Sequence, residues 1–246
     1  MKRLSLYILV LFFILPYVAD AQRWKRYRYE LIGGIGTVNV FGDLGGGDGV
    51  ARHNTLDFNV EGTRPVLKVA VRYKLKELLA VKTNVFFAFA NASDKYTTNE
   101  ARSNRGATTN TFFIEPSIQL EYSLIKERYG RRYTFSNIRR FSLSHVNTYV
   151  FVGIGGLFYF PNREINVDTG VGEPGVFAAA FPMGIGFKYA MNRIYTIGLE
   201  MGNRFTTTDY LDGHSDKFSQ GNDSYFFLML TVSKRLRTSR KGLPRF

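Results

Sequence analysis

The sequence predicts an all-β fold, an eight-stranded antiparallel transmembrane β-barrel, and three observations predict it. Side chains alternate between apolar and polar along eight segments, a leader-like segment precedes them, and aromatic residues collect at both ends of these segments. Over 67–75, the residues Leu, Val, Val, Tyr and Leu alternate with Lys, Ala, Arg and Lys. Alternation with period two sorts side chains to the two faces of a strand, which a helix cannot do.

Residues 1–21 have the features of a signal peptide. Two basic residues precede an apolar run over 4–18, and Ala19 and Ala21 are the small residues expected before a cleavage site. The run is shorter than the roughly 20 residues that a membrane-spanning helix needs, and its flanks suit a secretory signal. We therefore expect an exported chain that begins at Gln22 after processing.

The remaining chain divides into a barrel over 22–236 and a basic periplasmic tail over 237–246. An even number of strands is what a closed bacterial barrel requires. With both termini in the periplasm, connections on the periplasmic side should be short, yet one of them spans 126–145. The eight predicted strands are 28–41, 66–75, 79–91, 111–125, 146–160, 177–190, 193–206 and 224–236.

Composition narrows the class of protein and of partner. The 246 residues include 33 Lys and Arg against 20 Asp and Glu, and there is no Cys. An exported chain without Cys is held by its own backbone pairing and not by disulfides. The positive charge suits outer-membrane lipid head groups or an acidic protein partner. We expect no nucleic acid and no small-molecule substrate, and we expect the outer membrane of a Gram-negative bacterium as the location.

The alternation assigns each residue of the predicted strands to one face. We assign the apolar face to lipid and the charged face to the lumen, which in an eight-stranded barrel is only wide enough for side chains. Charges buried there persist when they are paired, so we expect ion pairs that fill the interior. Glycines on the inner face should leave room for bulky neighbours. The inward charges are Lys68, Arg72, Lys74, Lys82, Lys188 and Arg204, opposed by Glu115, Glu121 and Glu200.

Aromatic residues on the lipid face are predicted to form two girdles, as membrane barrels show at both interfaces. A soluble β-sandwich has no reason to sort aromatic residues by height. The periplasmic girdle is Tyr29, Tyr73, Tyr122, Tyr189 and Tyr195, and the opposite girdle is Phe41, Phe89, Phe160, Phe177 and Phe205.

No pattern in the sequence supports a catalytic, cofactor-binding or metal site. His53 and His214 fall in predicted outer loops, and Ser215 is only the chain neighbour of His214. A nucleophile needs a base within hydrogen-bond reach, and adjacent residues rarely point at each other. The acidic residues near 209–223 have no spacing typical of a calcium loop. We therefore predict a protein without enzymatic activity, cofactor or metal.

The connection 126–145 is the predicted partner-binding site. Arg and Tyr are the residues that dominate interface hot spots, and both are concentrated here. A solvated basic loop is the plainer alternative. The basic tail that begins near Lys234, including Arg235, should emerge on the same side. The predicted partner-binding residues are Lys126, Arg128, Tyr129, Arg131, Arg132, Arg139 and Arg140.

Several segments carry a family resemblance that extends over nearly the whole processed chain. They are 29–45, 150–161, 181–189 and 198–212, and the last ends in Thr-Asp-Tyr-Leu-Asp. These segments resemble the small outer-membrane barrels of Bacteroidota. In that family a second Asp and a Val continue the last motif, where this chain has Gly213 and His214. The residues that match the family motifs are Asp43, Asp209, Tyr210 and Asp212.

The resemblance implies a non-enzymatic membrane anchor. The family includes PorG-like barrels of the type IX secretion system, which tie a periplasmic ring of lipoprotein subunits to the outer membrane. It therefore implies periplasmic secretion-machine proteins as partners. Two alternatives remain open. One is a stand-alone structural or adhesive barrel that acts through its outer loops, and the other is a lipid-modifying barrel enzyme.

Overall fold

The computed structural model describes residues 23–41, 62–93, 108–127, 146–164, 176–208, 211, 223–239 and 241–245. These residues form a short 3-10 helix, Arg23–Arg26, followed by nine strands. The strands are β1 Tyr29–Phe41, β2 Arg64–Lys74, β3 Leu79–Ser93, β4 Thr108–Ser123, β5 Val146–Glu164, β6 Phe177–Ala190, β7 Tyr195–Thr206, β8 Ser224–Thr238 and β9 Pro244–Arg245.

The first eight strands close into an antiparallel barrel. Each strand pairs with the next along the chain, and β1 also pairs with β8, from Tyr29 opposite Leu236 to Phe41 opposite Ser224. The predicted fold class is therefore confirmed, and the predicted strand boundaries lie within four residues of the observed ones. In the described ranges, no helix combines the length and the apolar character of a membrane span.

The outer wall of the barrel is apolar. Leu67, Val69 and Val71 on β2 and Leu230 and Val232 on β8 all expose their side chains, while the residues between them are buried. Soluble monomers rarely expose a contiguous apolar surface of this extent. A closed barrel with an apolar outer band satisfies its backbone hydrogen bonds internally, which is the condition for spanning hydrocarbon. The chain is a transmembrane barrel.

The two ends of the barrel differ in their connections. The short-turn end carries the turns 75–78 and 191–194, the start of β1 and the end of β8. The opposite end, which we call the long-connection end, joins β1 to β2, β3 to β4, β5 to β6 and β7 to β8. Inside the barrel, charged side chains lie toward the short-turn end, and an apolar cluster that includes Phe113, Leu157 and Phe227 lies toward the other.

The aromatic girdles are largely as predicted. Tyr122 and Tyr195 are exposed at the short-turn end, and Phe89 and Phe177 are exposed at the long-connection end. Phe41 differs from the others in exposure, because only 9% of its surface is accessible. It keeps the predicted outward phase, since the pairing of β1 with β8 is unbroken and the preceding residue, Val40, packs against the interior apolar cluster. Asn39, on the same outward phase, is also buried.

The predicted C-terminal tail begins as a strand. β8 continues to Thr238, and Arg237 and Thr238 pair with β9 in a hairpin outside the barrel. Gly242 in its turn has φ of 82°, a left-handed conformation that glycine adopts without strain. Arg235 was predicted to add to the exposed basic tail, and this was wrong. It is buried because it continues the inward phase of β8.

Candidate functional site

Ten charged side chains form an interior charge network near the short-turn end. The predicted inward residues are all buried, as expected. Three further members, Glu30, Glu127 and Arg235, were not assigned to the interior from the sequence. The network consists of Glu30, Lys68, Arg72, Lys74, Lys82, Glu121, Glu127, Lys188, Glu200 and Arg235.

Arg72 joins three strands at the centre of this network. Its Nε lies 2.5 Å from Oε2 of Glu121 on β4, and its Nη2 lies 3.1 Å from Oε1 of the same carboxylate. Its Nη1 donates to Glu30 on β1. A bidentate Arg–carboxylate pair is among the strongest charge-assisted contacts in proteins. Arg72 therefore fixes the distance between β1, β2 and β4 across the lumen.

Glu200 on β7 is the second centre. It pairs with Lys68, and its Oε1 lies 3.0 Å from Nζ of Lys82. The hydroxyl of Tyr149 donates to the same Oε1 at 2.6 Å. Lys82 also lies 2.6 Å from Glu121, so the two carboxylates share one ammonium group. Sharing each carboxylate among several donors is the arrangement that offsets the desolvation of buried charges.

Inner-face glycines make room for the aromatic side chains of this network, as predicted. A Cβ on Gly186 would overlap the ring of Tyr149, and one on Gly184 would lie 2.7 Å from Cζ of Phe151. Both glycines lie on β6, beside β5, where a side chain would occupy the volume that the rings now fill. A Gly-rich loop that binds phosphate precedes a helix, whereas these glycines lie in β6, which leads into β7. They therefore do not form a phosphate-binding loop.

A separate ion pair lies closer to the long-connection end. Nε of Arg204 lies 2.6 Å from Oε2 of Glu115, and the guanidinium lies 4.1 Å and 3.9 Å from the ring centroids of Phe86 and Phe227. This pair therefore packs between aromatic rings. Among the described residues, no group of His, Asp or Glu is placed to hold a metal ion.

Glu127 closes the interior at the short-turn end. It lies just beyond β4 and pairs with Lys74 on β2, and its Oε1 lies 2.5 Å from Nη2 of Arg235 on β8. Arg235 also lies 3.3 Å from Glu30 and donates to the carbonyl of Asn192 at 3.2 Å. The start of the long connection is therefore fixed to two strands of the barrel, β2 and β8.

The electrostatics of this position favour the charged carboxylate. Burial by itself would raise the pKa of the Glu127 carboxyl, but the nearby cations Lys188, Lys74 and Arg235 outweigh burial and hold that pKa well below its usual range. The other end of the same connection is also held, because the Asn147 side chain on β5 donates to the carbonyl of Ile125. The described residues on both sides of the connection 128–145 are therefore held by specific side-chain contacts.

One of the seven residues predicted for partner binding, Lys126, lies in the described part of the chain. Its side chain is 67% exposed, and its Nζ lies 3.1 Å from Oε2 of Glu77. The predicted residues Arg128, Tyr129, Arg131, Arg132, Arg139 and Arg140 lie outside the described residues, as do the motif residues Asp43, Asp209, Tyr210 and Asp212.

Two residues of the Thr-Asp-Tyr-Leu-Asp motif are described, Thr208 and Leu211, and both are buried. Leu211 has no exposed surface. Its N–H donates to Oδ2 of Asp223 at 2.7 Å, and its carbonyl accepts a 3.0 Å hydrogen bond from Oγ1 of Thr111 on β4. Leu211 is therefore held in place at the long-connection end of the barrel. The alternation pattern did not predict this, because Leu211 lies outside the strands.

The surface of the short-turn end is basic in its described part. Glu77, the acidic residue described there outside the interior, is half-buried and paired with Lys126. The cations of this surface come from the N-terminal 3-10 helix, the turns 75–78 and 191–194, the residues after β4, and the end of β8 with the tail hairpin. The exposed basic residues are Lys25, Arg26, Lys76, Lys126, Arg193, Lys234, Arg237, Lys241 and Arg245.

The three interior residues that were not assigned from the sequence have features there that point to the interior. Glu127 is the lone acid in a strongly basic stretch, and Glu30 and Arg235 fall on the inward phase of β1 and β8. Strict continuation of the alternation through both strands would have placed the last two in the lumen.

Several solved structures are similar to this chain. Neisserial surface protein A is 9% identical, with 84% of this chain and 96% of that chain covered and a TM-score of 0.46. The outer membrane protein OprG from Pseudomonas aeruginosa is 10% identical, with 85% and 96% covered and a TM-score of 0.43. A major outer membrane protein from Thermus thermophilus is 12% identical, with 84% and 99% covered and a TM-score of 0.42.

Comparison with the curated proteins gave no match. A family model does match, over residues 5–231, and its description is a domain of unknown function, DUF6089. The match extends over all eight strands of the barrel except the end of β8. The chain is a member of the DUF6089 family.

Proposed function

We propose that this barrel is a non-enzymatic anchor in the outer membrane of a Gram-negative bacterium, with both termini in the periplasm. It holds periplasmic components of a protein secretion machine, in the manner of the PorG-like barrels of type IX secretion. The observation that carries the proposal is the charge of the short-turn end, where the described surface has nine exposed basic residues and one paired acid, Glu77.

The chemistry of this face suits an acidic protein surface. Complementary charge speeds association and selects partners, and Arg and Tyr supply the contacts that dominate binding energy. The connection 128–145, which leaves from this end, contains five Arg and two Tyr and no Asp or Glu. Glu127 and Asn147 hold the described residues on the two sides of this connection.

The test is co-purification from detergent-solubilised membranes. Replacing Arg131, Arg132, Arg139 and Arg140 by Glu should abolish recovery of periplasmic lipoprotein partners with the tagged barrel. The folded barrel should keep its heat-modifiable migration in gels, because none of the eight described barrel strands includes these residues. Unchanged recovery of the partners would refute the docking role.

A matched control reverses the same number of charges at the other end. Lys95, Arg102, Arg105 and Lys217 lie in connections of the long-connection end, and their replacement by Glu should leave partner recovery intact. If this control variant alone loses function, the adhesive or structural alternative is favoured. Altered lipid A or phospholipid in a deletion strain, measured by mass spectrometry of extracted lipids, would favour the enzyme alternative.

A further inference from the structure

The interior charge network does not balance its charge. It contains six cationic side chains and four carboxylates, all of them shielded from solvent by the closed wall. The separate pair Arg204–Glu115 is balanced by itself. Uncompensated charge in a closed protein interior is costly, so an excess of cations requires a further anion or the loss of protons.

The excess centres on one residue, Lys188 of β6. Each of the other five cations in the network lies within ion-pair distance of at least one carboxylate. Lys188 is 5% exposed and forms no ion pair or hydrogen bond within the described ranges. Its ammonium lies 5.0 Å from the ring centroid of Tyr149, and this ring also faces Arg72.

No carboxylate among the described residues is left to pair with Lys188. The carboxylates whose charges act on it, Glu127 and Glu30, lie beyond ion-pair distance and are paired with other cations. Lys188 lies two residues before the end of β6 and thus close to the short-turn end. The connection 128–145, which leaves from the same end, contains no Asp or Glu. Glu127 is already engaged by Lys74 and Arg235. Within the described residues, Lys188 is therefore the cation without a carboxylate at contact distance.

We propose that Lys188 is the cationic centre of a binding site for a small inorganic anion such as chloride, which enters from the short-turn end. The ammonium donates to the anion, and the neighbouring guanidinium of Arg72 and the ammonium of Lys74 add to the local positive potential. The bound anion offsets part of the charge excess, so it stabilises the folded barrel by mass action. This site is independent of partner docking.

The test measures thermal unfolding of the full barrel in detergent at constant ionic strength, with chloride exchanged for gluconate, a much larger anion. We expect the unfolding temperature of the wild type to rise by a few degrees in chloride. The variant Lys188→Met replaces the lysine by an unbranched, uncharged side chain one atom shorter, so it should lose this dependence. It should also be more stable than the wild type in gluconate, since it removes an unbalanced cation.

The matched control is Lys76→Met, which removes an exposed lysine of the same end and should retain the response to chloride. An equal response in wild type and Lys188→Met would overturn the proposal. Should Lys188→Met fail to fold, crystals of the wild type soaked in bromide decide the question. An anomalous peak in contact with Nζ of Lys188 supports the site, and the absence of a peak there overturns it.

Discussion

The phenol of Tyr149 on β5 donates a hydrogen bond of 2.6 Å to Oε1 of Glu200 on β7, across the interior of the barrel. These strands are not neighbours in the sheet, because β6 lies between them. Glu200 also pairs with Lys68 on β2 and Lys82 on β3. One carboxylate therefore connects parts of the wall that backbone pairing leaves unconnected.

Glu200→Gln should destabilise the barrel by about 3 to 5 kcal/mol, the usual cost of leaving a buried ion pair without one partner. Urea unfolding in detergent or lipid, followed by gel migration, measures this cost. The control is Glu77→Gln, which removes a carboxylate from a partly exposed pair with Lys126 and should cost about 1 kcal/mol or less. Equal costs would mean that the interior pairs do not hold the barrel together.

Gly186→Ala should cost about 1 to 3 kcal/mol, because the added Cβ would overlap the ring of Tyr149 in a filled interior. The matched change is Gly33→Ala on β1, where a Cβ would meet nothing within 4 Å. We expect that variant to unfold at the same urea concentration as the wild type. The expectation fails if the two substitutions have the same effect.

Leu230→Arg should destabilise the barrel in lipid vesicles by about 2 to 4 kcal/mol, the cost of Arg on the lipid face near the midplane. Leu243 in the tail hairpin is a matched position, since it is 61% exposed and Leu230 is 58% exposed. Leu243→Arg should be neutral, because Leu243 lies outside the barrel wall. A neutral Leu230→Arg would show that this face does not contact hydrocarbon.

The contribution of Glu127 should depend on pH in a defined direction. Its pKa is held below the ordinary value, so its ion pairs stabilise the folded state above the pKa of the unfolded chain, about 4.3. This contribution is lost as the pH falls through the lower pKa of the folded state. The free-energy difference between the wild type and Glu127→Gln should therefore be largest at neutral pH and shrink in acid. A constant difference across this range would contradict the assignment.

The alternation of side chains predicted the strands and their faces, and together with the even number of strands and the aromatic girdles it predicted the barrel. It placed Lys68, Arg72 and Glu200 in the lumen, where the structure has them. It did not predict that Asn39 and Phe41, on the outward phase of β1, are buried, because contacts at the end of a strand leave no mark on the polarity pattern.

The candidate site was less predictable. The charge of the 126–145 connection is visible in the sequence, but the position of Glu127 over the interior depends on Lys74 and Arg235, which are distant along the chain. Pairing between distant side chains requires the register of the strands, and local sequence does not supply it. The same reason applies to Lys188, which forms no ion pair within the described residues.

The central claim is that the outer face of the barrel lies in hydrocarbon, and site-directed spin labelling tests it most directly. The chain has no Cys, so single Cys substitutions at Leu67, Val69, Val71 and, as a reference, Leu243 can be labelled without a background. In lipid vesicles we expect labels at the three β2 positions to be relaxed by oxygen and protected from a water-soluble nickel complex, with the reverse at Leu243. Equal access of the nickel complex to Val69 and Leu243 would contradict a membrane-spanning barrel.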